Sequence, residues 1–162
     1  MTLKKLVLIT AVFVLLITPA AAAQDTVSSA SVVVDDESLI NAMSAEGSWI
    51  VIFTEDYSTD KELVLEGEFT NRGEVARKLA VYDQDAQRNI TDRYTLETPK
   101  LTVKSENTSV KGGVIVGDVY VEAEGFELDD ATIDGDLYFT NSKAESSFVN
   151  NGTVNGEIKL VE

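Results

Sequence analysis

The chain has 162 residues, with 13 basic and 28 acidic side chains and a formal net charge of −15. So acidic a surface argues against nucleic acid and anionic membrane as partners and favours cations or basic partners. With no histidine and no cysteine, histidine-based acid–base and zinc chemistry, cysteine nucleophiles and disulfides are all excluded.

Residues 1–23 read as a secretory signal. Lys4 and Lys5 form its positive start, Leu6 to Ile17 is apolar, Thr18-Pro19 breaks the run, and Ala21-Ala22-Ala23 supplies a cleavage site before Gln24. The apolar run is too short to span a bilayer comfortably, so no stable membrane span is expected after cleavage. Loss of the two signal lysines leaves 11 basic and 28 acidic residues, a net charge of −17. The location implied is extracellular or in the cell envelope.

Residues 24–35, rich in Ser, Ala and Val, are expected to form a linker or a loose first strand. A short helix is expected over 36–46: Asp35 or Asp36 caps it, and acids in its first turn suit the helix dipole. Leu39, Ile40, Ala42 and Met43 form one face, and Gly47 is a plausible stop. This helix is read as a lid over the N-terminal end of the domain. Trp49 to Phe53 and Leu63-Val64-Leu65 are expected strands. Gly67 to Arg77 reads as a loop that leaves the fold, and Leu79 to Tyr82 rejoins it. Asp83 to Asp92 is polar, Tyr94 to Leu96 is a strand, and Thr98-Pro99 turns.

From Lys100 onward the sequence repeats. Val116-Gly117-Asp118-Val119-Tyr120-Val121 recurs as Asp134-Gly135-Asp136-Leu137-Tyr138-Phe139, and more loosely as Asn155-Gly156-Glu157-Ile158-Lys159-Leu160, at steps of 18 and 21 residues. Apolar residues two apart mark strands with one buried face: Leu101 and Val103, Val119 and Val121, Leu137 and Phe139, Ile158 and Leu160. A second apolar column is Ile115, Ile133 and Val154, and a third is Val110, Leu128 and Phe148. The glycines fall where the chain must turn. No helical pattern shows in this stretch. Stacking units at about 4.8 Å places Lys100 on Asp118, Lys104 on Glu122 and Lys111 on Asp129, three opposite-charge matches. A period near 20 residues with three apolar positions per unit predicts an all-β fold: a single-stranded right-handed parallel β-helix, a solenoid of about 18-residue rungs spanning 36–162 with its capping helix.

The Gly-[Asp/Glu]-apolar-x-apolar units at Gly117, Gly135 and Gly156 resemble those of the bactofilins, bacterial polymer-forming proteins. The whole mature chain looks closer to an uncharacterised group of small secreted bacterial β-helix proteins. The resemblance implies short β-helices that associate end to end without nucleotide.

Several residues are candidates for binding. Asp118, Asp136 and Glu157 occupy equivalent positions, with Asp134 beside Asp136. The column is either a solvated acidic edge or a site where a divalent cation, calcium by its oxygen ligands, bridges the carboxylates. No other cofactor is implied. Asp83 to Asn89 looks faintly like a calcium loop, but Arg88 and Tyr94 stand where such a loop needs glycine and glutamate, and a solvated turn fits better. Tyr120 and Tyr138 face outward and stack, either as a platform for a sugar or partner or as plain cross-strand support. All four arginines, Arg72, Arg77, Arg88 and Arg93, lie in one window. That window is either a contact for an anionic partner or local charge balance. No motif singles out a catalytic pair among the acids, so no enzyme activity is expected.

The functional expectation is a secreted, non-catalytic structural protein that self-associates. Its C-terminal strand, Glu157 to Val161, is read as having nothing to cover it, whereas the helix covers the other end. The alternative is a binding module for cell-wall or matrix polysaccharide, and the less favoured one is a secreted carbohydrate-active lyase or hydrolase.

Overall fold

A computed structural model describes residues 30–161. The expected signal at 1–23 and the first part of the linker at 24–35 lie outside the described residues. The chain begins with β1 (Ser31–Val32) and helix α1 (Asp36–Met43). Asp35 caps the helix: its Oδ1 accepts the Ser38 N–H at 2.7 Å, and the Asp35 N–H donates to Ser38 Oγ at 2.9 Å. The helix ends at Met43 rather than Glu46, because Ser44 turns extended and its hydroxyl closes on the Asn41 carbonyl at 2.8 Å. Leu39, Ala42 and Met43 are buried, whereas Ile40 is 48% exposed.

β2 (Ile50–Ile52), β3 (Tyr57–Ser58) and β4 (Leu63–Leu65) follow. The expected loop at Gly67–Arg77 is an antiparallel hairpin of β5 (Thr70–Asn71) and β6 (Glu74–Val75), and it leads into β7 (Arg77–Ala80). The polar stretch after Tyr82 is a second hairpin, β8 (Tyr82–Gln84) with β9 (Ile90–Arg93). Then come β10 (Thr95–Val103), β11 (Thr108–Lys111), β12 (Val114–Val121), β13 (Glu127–Asp134) and β14 (Leu137–Phe139), helix α2 (Ser142–Ser146), and β15 (Val149–Val154) and β16 (Ile158–Leu160). Five residues are too few to show helical periodicity, so α2 was illegible from pattern. Its mark is Asn141, whose side chain accepts the Ala144 N–H at 2.9 Å. It lies in the interval where the repeat lengthens from 18 to 21 residues.

Twelve strands join into one large sheet, in the order β1-β2-β7-β11-β13-β12-β10-β3, with β4, β14, β15 and β16 attached alongside. All its pairings are parallel. The repeat sets the register: Leu101 lies beside Val119, Val119 beside Leu137, and Leu137 beside Ile158. Ile115 pairs with Ile133, and Ile133 with Val154. The third column departs from expectation. Asn150, not Phe148, lies beside Leu128, and Phe148 stacks on Phe126 with ring centroids 5.7 Å apart.

The fold is not the expected right-handed β-helix, and the solenoid reading is corrected with it. The strands form a single multi-strand sheet curled into a half-barrel. The reason lies in strand length. β10, β12 and β13 have nine, eight and eight residues and run through the points where a coil with short sides would break. β12 pairs β13 through Val114–Val116 and β14 through Val119–Val121, with Gly117 between them. Pro99 likewise sits inside β10, at a register shift between Glu97 and Lys100, where the missing N–H does least harm. The glycines serve close approach. Only Gly117 of the three has a left-handed φ, +133°, and a Cβ added to Gly135 would lie 2.2 Å from the Gly117 carbonyl oxygen.

Candidate functional site

Two columns, along β12, β14 and β16 and the residues just before the last two, carry most of the candidate residues. In the first, each acid binds the backbone of the next strand's acid. Asp118 Oδ1 accepts the Asp136 N–H at 3.0 Å, and Asp136 Oδ1 accepts the Glu157 N–H at 2.8 Å. Asp136 Oδ2 takes the Tyr138 hydroxyl at 3.0 Å and the Lys159 ammonium at 3.2 Å. Lys159 also pairs with Glu157. These bonds, the Glu157 N–H first, hold the Asp136 carboxyl below its ordinary range, and Glu157 and Asp136 push the Lys159 ammonium up. The carboxylate oxygens that a bridging cation would need are thus turned to backbone and ammonium donors. Asp134 is exposed and accepts from Asn155 Nδ2 at 3.2 Å. Among the described residues, no group of three or more acidic side chains is placed to hold a metal ion.

The second column is the tyrosine ladder. Tyr120 and Tyr138 stack with centroids 4.4 Å apart and planes 20° from parallel. Lys100 Nζ lies 4.4 Å from the Tyr120 centroid, and Lys159 Nζ lies 5.6 Å from that of Tyr138. Each ring therefore has a lysine on one face and the other tyrosine on the other face. A sugar stacks on an open aromatic face, and this ladder offers edges and hydroxyls instead. The same geometry explains Lys100. It stands opposite Asp118 in register, but its ammonium turns over the ring. Of the three expected charge matches, Lys111–Asp129 forms an ion pair, at 2.6 Å.

The four arginines do not gather into one surface. Arg77 is 1% exposed. Its guanidinium donates to the carbonyls of Ser48, of Ala42 at 2.9 Å and of Ser44 at 3.4 Å, and it lies 4.2 Å from the Phe69 ring centroid. Burial lowers its pKa to about 10, so it is still charged at neutral pH. Its expected role in contacting an anionic partner is corrected: it is a clamp on the C-terminal end of α1. Arg93 donates to the carbonyls of Gly112 and Asp130 and pairs with the Asp130 carboxylate at 2.6 Å. It borders an open cleft of about 490 Å³ shared with Asp130, Thr132, Asn151 and Thr153. Arg72 and Arg88 are exposed at the tips of the two hairpins, both with positive φ. Asp85 organises the second tip: its carboxylate accepts the N–H groups of Gln87 and Asn89, each at 2.9 Å, so the stretch is a hydrogen-bonded turn.

The residues that stand out geometrically are at the C-terminal edge. Among the described residues, β16 pairs only with β14, and β15 only with β13. Leu137 and Phe139 are fully buried, whereas Ile158 and Leu160, beside them in register, are 47% and 38% exposed. Val149 and Val161 are also exposed. The apolar columns that make the core run out into solvent here. The alternating apolar pattern made these positions legible as a strand, and Val149 was the one this reading missed.

No protein-family model, curated protein or solved structure matches this chain, and nothing in those comparisons bears on the resemblance to bactofilins.

Proposed function

We propose that this is a non-catalytic structural protein of the cell surface or extracellular space that associates with copies of itself through its C-terminal edge. The observation that carries this reading is the exposure of Ile158 and Leu160 directly beside the buried Leu137 and Phe139. An edge strand with unpaired backbone groups and apolar side chains favours pairing with another chain. The placement outside the cell rests on the pattern of residues 1–23, and the non-catalytic reading on the absence of histidine and cysteine and of any singled-out acid pair. The polysaccharide alternative depended on the tyrosine ladder and the arginines; lysines cover the outer ring faces, and Arg77 and Arg93 are occupied within the fold.

Light scattering tests the proposal. The unaltered protein is expected to be larger than a monomer at micromolar concentration, and a variant carrying Ile158→Lys and Leu160→Lys is expected to be monomeric. A monomer in both cases overturns the reading. Equal association in both moves the interface away from this edge.

A further inference from the structure

Among the described residues the outer edge of β16 is unpaired, and it also specifies how a second copy sits on it, given the self-association proposed above. The strand spends the backbone groups of its odd-numbered residues on β14. Leu137 N–H donates to the Glu157 carbonyl at 2.9 Å, and Val161 N–H donates to the Phe139 carbonyl at 2.8 Å. Backbone groups alternate sides along a strand, so Ile158 and Leu160 turn their N–H and C=O toward the unpaired edge. Their side chains continue the core face, while Glu157 and Lys159 stand on the outer face with Tyr138.

The geometry points to an antiparallel pairing of β16 with β16 of a second copy, with Ile158 on the twofold axis. In that register Ile158 faces Ile158 of the second copy, and the two exchange a pair of N–H···O=C bonds. Glu157 faces Lys159 of the second copy, and Lys159 faces its Glu157. The short sequence Glu157-Ile158-Lys159 is therefore self-complementary when reversed, with the charges on one face and the isoleucine on the other. Sliding the pairing by two residues, which moves the twofold axis from Ile158 to Lys159, would set Lys159 against Lys159, and like charges directly opposite destabilise a strand pair. A parallel, head-to-tail arrangement needs the opposite end of the same columns, the edge of β4. There α1 packs on β1 and β4, and the Glu66 N–H donates to the Met43 carbonyl at 2.9 Å. An interface that uses the same edge on both copies is isologous and closes as a dimer.

The absence of cysteine makes the test clean, because each substitution introduces the only thiol in the chain. A hydrogen-bonded antiparallel pair places its Cα atoms about 5.5 Å apart, within disulfide reach. Under mild oxidation, Ile158→Cys is expected to form a covalent dimer several-fold more readily than Lys159→Cys or the exposed N-terminal control Val64→Cys. Sedimentation supplies the second measurement. Glu157→Lys and Lys159→Glu are each expected to weaken the dimer, and mixing the two variants is expected to restore it. Preferential cross-linking at Lys159→Cys, or single charge variants that dimerise as the unaltered chain does, overturns this register and leaves self-association standing. A monomeric unaltered chain removes both.

Discussion

The two ends of the sheet make an instructive pair. β4 and β16 are three-residue strands of the same pattern, Leu63-Val64-Leu65 and Ile158-Lys159-Leu160, and both lie at the ends of the same register. At the first, Leu63 and Leu65 are 2% and 0% exposed, and at the second the matching residues are about half-exposed. The strands do not differ in their own alternation. They differ in what lies over them. At β4, the buried face of α1 closes the core, Arg77 holds the carbonyls at the end of that helix, and Asp36 ties its start to Lys61 at 2.9 Å and to the Tyr57 hydroxyl at 2.8 Å. Among the described residues nothing equivalent covers β16. Whether an edge strand is core or surface is thus decided by a distant element, not by the strand.

The largest expected effect comes from removing the clamp that makes the ends unequal. Arg77→Ala leaves the carbonyls of Ala42, Ser44 and Ser48 without their donor in a buried place. Each orphaned acceptor costs roughly 1–3 kcal/mol, so a loss of about 3 kcal/mol or more is expected in denaturant unfolding, with faster amide exchange across α1. Arg77→Lys should not rescue it, since an ammonium cannot span three carbonyls as the guanidinium fork does. Unchanged stability in the alanine variant would show that α1 is held by its apolar face alone.

A smaller effect separates the ends within one column. Leu137→Ala, in the buried interior, is expected to cost about 2–5 kcal/mol, as is Ile133→Ala in the neighbouring column. Ile158→Ala should cost about 1 kcal/mol or less in the dissociated monomer, because its side chain is already half in water. Equal losses at Leu137 and Ile158 would mean that the C-terminal edge is covered in solution, which would erase the contrast.

Much of the register was legible, and the architecture was not. The spacing of Leu101, Val119, Leu137 and Ile158 identified which residue lies beside which, because alternation and period both survive in any parallel arrangement of these strands. The same spacing carries no information on whether the bends interrupt the strands. Gly117 and Pro99 look like breaks in the sequence but lie inside β12 and β10, so the expected coil became a continuous curled sheet. The candidate site was legible in a similar, partial way. Equivalent positions correctly placed the acids and the tyrosines in columns. What occupies their oxygens and ring faces depends on where Lys100 and Lys159 bend, which is a rotamer choice no spacing encodes. Arg77 was the largest misreading: a cation in an acidic, irregular window looked like surface, and only the helix end packed against it gives a charge a reason to be buried.

The smallest expected effect is the acid sensitivity of the two ends, compared through one tethered carboxylate at each. Asp36 is held below the ordinary carboxylate range first by Lys61 and then by Tyr57, and Asp136 first by the Glu157 N–H and then by Tyr138 and Lys159. A carboxylate whose folded pKa lies below its unfolded one adds stability above the unfolded pKa, and that stability is lost as pH falls through the folded value. Both contributions are therefore complete at neutral pH and fade below about pH 4. Asp36→Asn and Asp136→Asn should each lower the melting temperature at pH 7, and each variant's deficit should close as the pH is taken toward 2. Asp36→Asn should also loosen α1 in amide exchange while leaving association intact. Asp136→Asn should leave Lys159 paired with Glu157 alone and act on the dimer instead, since an amide oxygen still accepts the Glu157 N–H but carries no charge. A deficit that stays constant with pH would assign both residues to neutral hydrogen bonding. A deficit at Asp136 that spreads to α1 would show that the two ends are coupled through the sheet rather than independent.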